Sequence, residues 1–177
     1  MRTTLNSTRG EQFTLLGEVK RGEALATADV LAGAAVIPLD STSGYPGVGS
    51  VVVEGVVVPY TGLTATTLTG CSGTPAIPAG TPVPYAVDVR SSANASLKFE
   101  AKRERDEAAI ITKQTGGQGI TVPNTAPGHL YNVQIVTGDT NGFTKAEALI
   151  WGIWLTESDG DVTLIGDGDW RVGIGPS

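Results

Sequence analysis

The sequence predicts an all-β protein, an antiparallel β-sandwich accompanied by a second, smaller module rich in β-hairpins. Apolar segments of strand length recur about every 8 to 12 residues, with turn residues between them. Glycine (24 residues) and proline (10 residues) are abundant, and only 17% of the 177 residues are charged. This composition favours short strands and tight turns over long helices.

The most informative stretch of the first half is a valine hairpin. Two valine triplets, 51–53 and 56–58, flank Glu54-Gly55, and Gly55 can supply the positive φ that a two-residue hairpin turn needs. Neither strand alternates apolar with polar residues, so we expect both faces to be covered. The module's own core covers one face, and the other requires a second domain or another chain. The sequence thus predicts an assembly surface made of Val51, Val53, Val56, Val58 and Tyr60.

The rest of the first half reads as short strands joined by loops. Alternation at 10–20 predicts a strand with Phe13 and Leu15 on one face, and 34–39 predicts another. Residues 24–33 fit a helical turn or an extended segment equally well. Leu63 and Leu68 anchor a strand and turn within 61–70, and four prolines make 72–84 irregular or a sheet edge.

The second half continues the strand pattern. Segments 95–101, 108–112, 120–122, 130–136 and 148–156 have strand character, and 137–146 is a loop with room for one helical turn. Residues 157–161 form a predicted hairpin turn followed by a strand at 162–165. A second turn is predicted at 166–169, before a closing strand at 169–173. The charged segment 102–107 has mixed signs, which is typical of a solvated turn.

Charge and hydropathy exclude several function classes. The net charge is −6 and the pI is about 4.7, so binding of nucleic acid through phosphate neutralisation is not expected. The N-terminus lacks the apolar region of a signal peptide, and no apolar run reaches the length of a membrane span. We therefore expect a soluble chain made in the cytosol. The single cysteine, Cys71, cannot form an intrachain disulfide.

Two stretches carry a resemblance to a known class of proteins. Val36-Ile-Pro-Leu-Asp-Ser-Thr-Ser-Gly-Tyr-Pro46, the valine hairpin, the threonine-rich 59–71 and Ala79-Gly-Thr-Pro-Val83 resemble a small β module of tailed-bacteriophage virion proteins. Ser96-Leu-Lys-Phe-Glu-Ala-Lys-Arg103, with the strands that follow it up to Val172, is similar to the N-terminal sandwich of phage upper-baseplate proteins. In such sandwiches an opening strand precedes a segment that 87–97 would supply, and here Gly10-Glu-Gln-Phe13 fills the opening position.

The resemblance implies an insertion and a structural role. Residues 1–25 and 86–177 would form the host sandwich, and 26–85 the inserted module. The implied function is that of a virion component in the tail, baseplate or neck, an adaptor that assembles with other virion proteins and anchors fibres. We expect a homo-oligomer, with no cofactor, nucleic acid or membrane among its partners. A head fibre or capsid decoration protein is the alternative within this class.

No residue set predicts catalysis, and we expect no enzyme. His129, the only histidine, and Cys71 could in principle form a nucleophile–base pair, but a loop histidine and a turn cysteine are the simpler interpretation. The segment 114–119 is glycine-rich but lacks the Lys-Ser/Thr of a phosphate-binding loop. Asp159, Asp161, Asp167 and Asp169 lie in two predicted acidic turns, which conformation alone explains without calcium.

The three tryptophans support a hypothesis from a different functional class. Trp151, Trp154 and Trp170 could form a sugar-stacking platform, which would make the chain a carbohydrate-binding module that recognises a host surface. Alternation places two of the three inside or between sheets, so core packing is the preferred interpretation. Exposed tryptophans in a shallow polar groove would favour the carbohydrate hypothesis instead.

Overall fold

The computed structural model describes residues 3–90, 95–117 and 119–174, and contacts divide the chain into two compact units. The sandwich unit comprises Met1–Glu18, Asp88–Asn124 and Leu130–Ser177, and the insert unit comprises Val19–Val87 and Thr125–His129. The expected insert, 26–85, lies within the first segment of the insert unit, which begins earlier in the chain. Residues 91–94 of the expected sandwich segment and Gln118 of the glycine-rich loop lie outside the described residues.

The predicted all-β class is confirmed. In chain order the strands are β1 (Thr3–Thr8), β2 (Phe13–Glu18), β3 (Lys20–Arg21), β4 (Val36–Pro38), β5 (Gly49–Val53), β6 (Val56–Tyr60), β7 (Gly62–Leu63), β8 (Thr67–Thr69), β9 (Tyr85–Ala86), β10 (Ala95–Lys102), β11 (Ile111–Gln114), β12 (Ile120–Thr121), β13 (Leu130–Ile135), β14 (Glu147–Glu157) and β15 (Val162–Gly173). A four-residue helix, α1 (Thr137–Thr140), lies in the segment where one helical turn was predicted. Residues 24–33 contain no helix and make isolated bridges instead.

The sandwich unit contains a five-stranded sheet, in the order β1-β15-β14-β10-β11, and a three-stranded sheet, in the order β12-β13-β2. Period-2 alternation places apolar side chains in the core, as β10 shows: Leu97, Phe99 and Ala101 are buried while Lys98 is exposed. The rings of Phe13 in one sheet and Trp170 in the other meet edge to face at 5.4 Å. The core of this unit therefore lies between the two sheets.

Two features of the five-stranded sheet differ from expectation. The polar segment Thr3–Thr8, for which no strand was predicted, forms β1 and pairs in parallel with β15. The turn predicted at 166–169 is wrong, because β15 runs unbroken from Val162 to Gly173 against β14. The irregularity in that ladder is instead a register shift between Ile153 and Trp154, which is typical of a β-bulge.

The insert unit has a four-stranded sheet, β3-β9-β5-β6, and a three-stranded sheet, β4-β8-β7. The predicted hairpin is present, with Glu54 at φ 48° and Gly55 at φ 82°. Positive φ at both central residues is the signature of a type I′ turn, whose twist matches that of the strands. The core is a single cluster of buried side chains: Ala24, Ala26, Val30, Ile37, Leu39, Val51, Val53, Val58, Tyr60, Leu68, Cys71, Ile77 and Val83.

Candidate functional site

The valine hairpin does not form the predicted assembly surface. Val51, Val53 and Val58 are 0% exposed and Tyr60 is 1% exposed, and all four belong to the core of the insert unit. The Tyr60 hydroxyl donates to the Pro46 carbonyl at 2.7 Å, which leaves that polar group satisfied inside. Only Val56, at 41%, is exposed. The doubly apolar strands are covered within the chain itself, so the prediction that these five residues await a neighbouring subunit is wrong for four of them.

The three tryptophans are divided between the inside and the outside of the sandwich unit. Trp170 is fully buried and its indole Nε1 donates to the Ser7 hydroxyl at 2.8 Å. Trp151 faces the same way as Ala101, its partner in register, and stacks on Phe99 with ring centroids 6.1 Å apart. Trp154 is three positions further along β14 and so lies on the outer face of the five-stranded sheet. No common platform of three rings exists, as the alternation predicted.

Trp154 lies flat on the outer face of the sheet. A Cβ built on Gly152 would stand 2.6 Å from Cη2 of the Trp154 ring and 3.0 Å from Cζ2 and Cζ3. The indole therefore covers the backbone of β14 at the one residue whose missing side chain makes room for it. Its cross-strand partners in register are Lys98 on β10 and Leu164 on β15, so three strands meet around the ring.

A groove of about 190 Å³ surrounds this ring, and we call it the tryptophan groove. Its walls contain both apolar and charged side chains. The lining residues are Glu100, Lys102, Arg105, Ile150, Trp151, Gly152, Trp154, Leu164 and Asp167. Leu164 is 51% exposed, so the groove is open to solvent on the β15 side.

The charged wall of the tryptophan groove is centred on Glu100. Its carboxylate accepts from Lys98 Nζ at 2.5 Å and from Lys102 Nζ at 3.3 Å. The bond from Lys98 is the larger cause, and together with that from Lys102 it holds the pKa of the Glu100 carboxyl below its usual range. Arg105 is exposed and makes no ion pair or hydrogen bond within the part of the chain that the structure describes. Of the two cations that line the groove, Lys102 is paired with Glu100 and Arg105 makes no ion pair within the described residues.

The other outer face of the sandwich unit has a different character. On the three-stranded sheet, β2 and β13 present alternate residues outward, and a single charged side chain, Glu18, lies among them. Leu16 is 79% exposed and Leu130 is 42% exposed. We call this surface the leucine face; its residues are Thr14, Leu16, Glu18, Thr121, Leu130, Asn132 and Gln134. The alternation of β13 was predicted, but its sequence could not show that β2 would be the outermost strand.

The remaining candidate residues are Cys71, His129 and the aspartates of the two predicted acidic turns. Cys71 is buried, and burial raises the pKa of its thiol, which keeps it protonated rather than nucleophilic. His129 is 5% exposed. Asp159 and Asp161 do occupy a hairpin turn, where Asp159 accepts from the Asp161 amide at 3.0 Å.

Asp167 and Asp169 lie in β15. The prediction of a second acidic turn at these residues is therefore wrong. Among the described residues, no three His, Cys, Asp or Glu side chains are grouped so that they could hold a metal ion. Within the same residues, no helix is long and apolar enough to cross a membrane.

No protein-family model and no curated protein sequence matches the chain.

Proposed function

We propose that this chain is a non-catalytic structural component of a tailed-phage virion, an adaptor of the tail, baseplate or neck that works by assembly with copies of itself and with other virion proteins. The virion assignment rests on the resemblance of the two sequence stretches to phage modules. The mode of action rests on the leucine face. The observation that supports this mode of action most directly is that Leu16 is 79% exposed on β2, an outermost strand of the three-stranded sheet β12-β13-β2.

The composition of the leucine face suits contact with protein. The buried centres of protein–protein interfaces are depleted in charge, and this face carries one charged residue among its seven. An outermost strand also presents unpaired backbone groups, to which a strand of a neighbouring subunit can add. The outward residues of β2 are Thr14, Leu16 and Glu18, and they include no lysine or proline to block such pairing.

Sedimentation of the full chain tests the assembly surface. We expect the wild-type protein to self-associate and Leu16→Lys to weaken association by at least about tenfold, because burying a leucine contributes roughly 2 kcal/mol and a lysine blunts a strand edge. Leu31→Lys is the matched control, since Leu31 is 80% exposed but lies in the insert unit. If Leu16→Lys sediments like the wild type, the leucine face is not an assembly surface.

Particle composition tests the virion assignment. Quantitative mass spectrometry of purified particles whose genome encodes this chain should find it at a fixed copy number. Antibody labelling at the tail or neck would support the adaptor, and labelling of the capsid would favour the head fibre or decoration protein. Absence of the chain from purified particles would refute a virion role altogether.

A further inference from the structure

The tryptophan groove differs from the leucine face in ways that indicate a small polar ligand. Four of its nine lining residues are charged, namely Glu100, Lys102, Arg105 and Asp167, whereas interface centres for proteins are depleted in charge. Its volume of about 190 Å³ is below the roughly 300–1,000 Å³ of pockets for drug-sized ligands.

Trp154 supplies a flat, apolar surface of the size of one ring. One face of its indole rests on Gly152, so the other is directed away from the sheet. The face of an aromatic ring carries negative charge density, which attracts the weakly positive C–H groups that line one side of a pyranose. Within the described residues, no protein group accepts a hydrogen bond from the Trp154 indole N–H, so this donor is available to a hydroxyl or ring oxygen.

The charged wall of the groove indicates which charged group the ligand carries in addition to an apolar sugar face. Glu100 is already bound by Lys98 and Lys102, and Asp167 also lines the groove, so the exposed guanidinium of Arg105 is the lining cation that is free to bind a ligand. Guanidinium groups bind carboxylates through two parallel hydrogen bonds. A ligand that matches both halves has an apolar sugar face and a carboxylate.

We propose that the tryptophan groove is a glycan-binding site in which one pyranose stacks on Trp154, with Arg105 favouring an acidic sugar such as a uronic acid. The site lies on the outer face of the five-stranded sheet, and it includes no residue of the leucine face. It needs no catalytic group, because recognition rests on stacking and hydrogen bonding alone.

Titration of the full chain by NMR tests the site, with the indole N–H resonance of Trp154 as the reporter. The acidic probes are hexasaccharides of galacturonate and of hyaluronan, and the neutral probes are cellohexaose and chitohexaose. We expect at least one acidic probe to bind more tightly than both neutral probes and to shift the Trp154 resonance. Binding of no probe at about 10 mM, or shifts confined to other residues, would overturn the site. Equal binding of acidic and neutral probes would overturn the role of Arg105.

Variants separate stacking from charge. Trp154→Ala should weaken binding of every probe roughly tenfold or more, while Trp154→Phe retains a flat ring and most of the affinity. Gly152→Ala keeps all polar groups but pushes the indole off the sheet, so it should behave like Trp154→Ala. Arg105→Gln should weaken the acidic probes only. Binding that survives both Trp154→Ala and Gly152→Ala would overturn the stacking geometry.

Leu16→Lys is the control that separates this site from the proposed assembly. It should leave glycan binding unchanged, and Trp154→Ala should leave sedimentation unchanged. Failure of either proposal can therefore be recognised while the other stands.

Discussion

The burial of the valine hairpin makes a quantitative prediction for Val58→Ala. Val58 is 0% exposed and pairs in register with Val51, which is also 0% exposed. The substitution removes two methyl groups, worth about 0.8 kcal/mol each by transfer, and leaves a cavity against close-packed neighbours. We expect the insert unit to lose about 2–3 kcal/mol of stability. Val56→Ala on the same strand is the matched control and should cost less than about 1 kcal/mol, because Val56 is 41% exposed.

Amide hydrogen exchange is the appropriate assay for this variant. All three tryptophans lie in the sandwich unit, so an amide of the insert unit is the more direct probe of the hairpin. The Val52 amide donates to the Pro84 carbonyl at 2.9 Å and is a suitable probe of the insert unit. A loss of 2–3 kcal/mol corresponds to exchange that is roughly 30- to 150-fold faster.

An interface role for Val58 would give the opposite result. If Val58→Ala changed exchange by less than about twofold in the isolated chain and instead altered sedimentation, the side chain would act between subunits. The reasoning from burial would then be refuted.

Three further predictions concern single residues. Gly55→Ala should cost the hairpin about 1 kcal/mol by the same exchange assay, because Gly55 has φ 82° and open space around it, so the cost is one of backbone conformation alone. Ser7→Ala should destabilise the sandwich unit by about 1–3 kcal/mol in urea, followed by tryptophan fluorescence, because it leaves the buried Trp170 N–H without an acceptor. Glu100→Gln should cost less than about 1 kcal/mol at neutral pH, since Lys98 is 46% exposed and its charge is screened. Because the folded pKa of Glu100 is lowered, its contribution is present above the unfolded pKa of about 4.3 and disappears as the pH falls through the folded value.

Each of these has an outcome that contradicts it. Unchanged exchange in Gly55→Ala would show that the turn does not require positive φ. Asn6→Ala, an exposed neighbour on β1, is the control for Ser7→Ala, and equal effects of the two would remove the hydrogen bond as the cause. For Glu100→Gln, a difference from wild type that persisted at pH 2 would mean that something other than the carboxylate charge is lost.

Local patterns were sufficient for the fold class and for several individual strands. The two valine triplets around Glu54-Gly55 predict the hairpin because β-branched residues and a glycine at the turn act over a few neighbouring residues. The buried Tyr131, Val133 and Ile135 of β13 follow directly from period-2 alternation. The same alternation separates Trp154 from Trp151, since residues three apart on a strand point to opposite faces.

Long-range pairing decided what local patterns could not. Thr3–Thr8 is a strand only because β15 lies beside it, and Gly166 to Asp169 continues a strand because β14 supplies a partner along its whole length. Whether the second face of the valine strands would be covered within the chain also depended on packing that no short segment encodes. Which outer surfaces remain uncovered, the leucine face and the tryptophan groove, was decided by the order of strands in the sheets. Strand order is a property of the whole chain, because it is set by contacts between residues far apart in sequence.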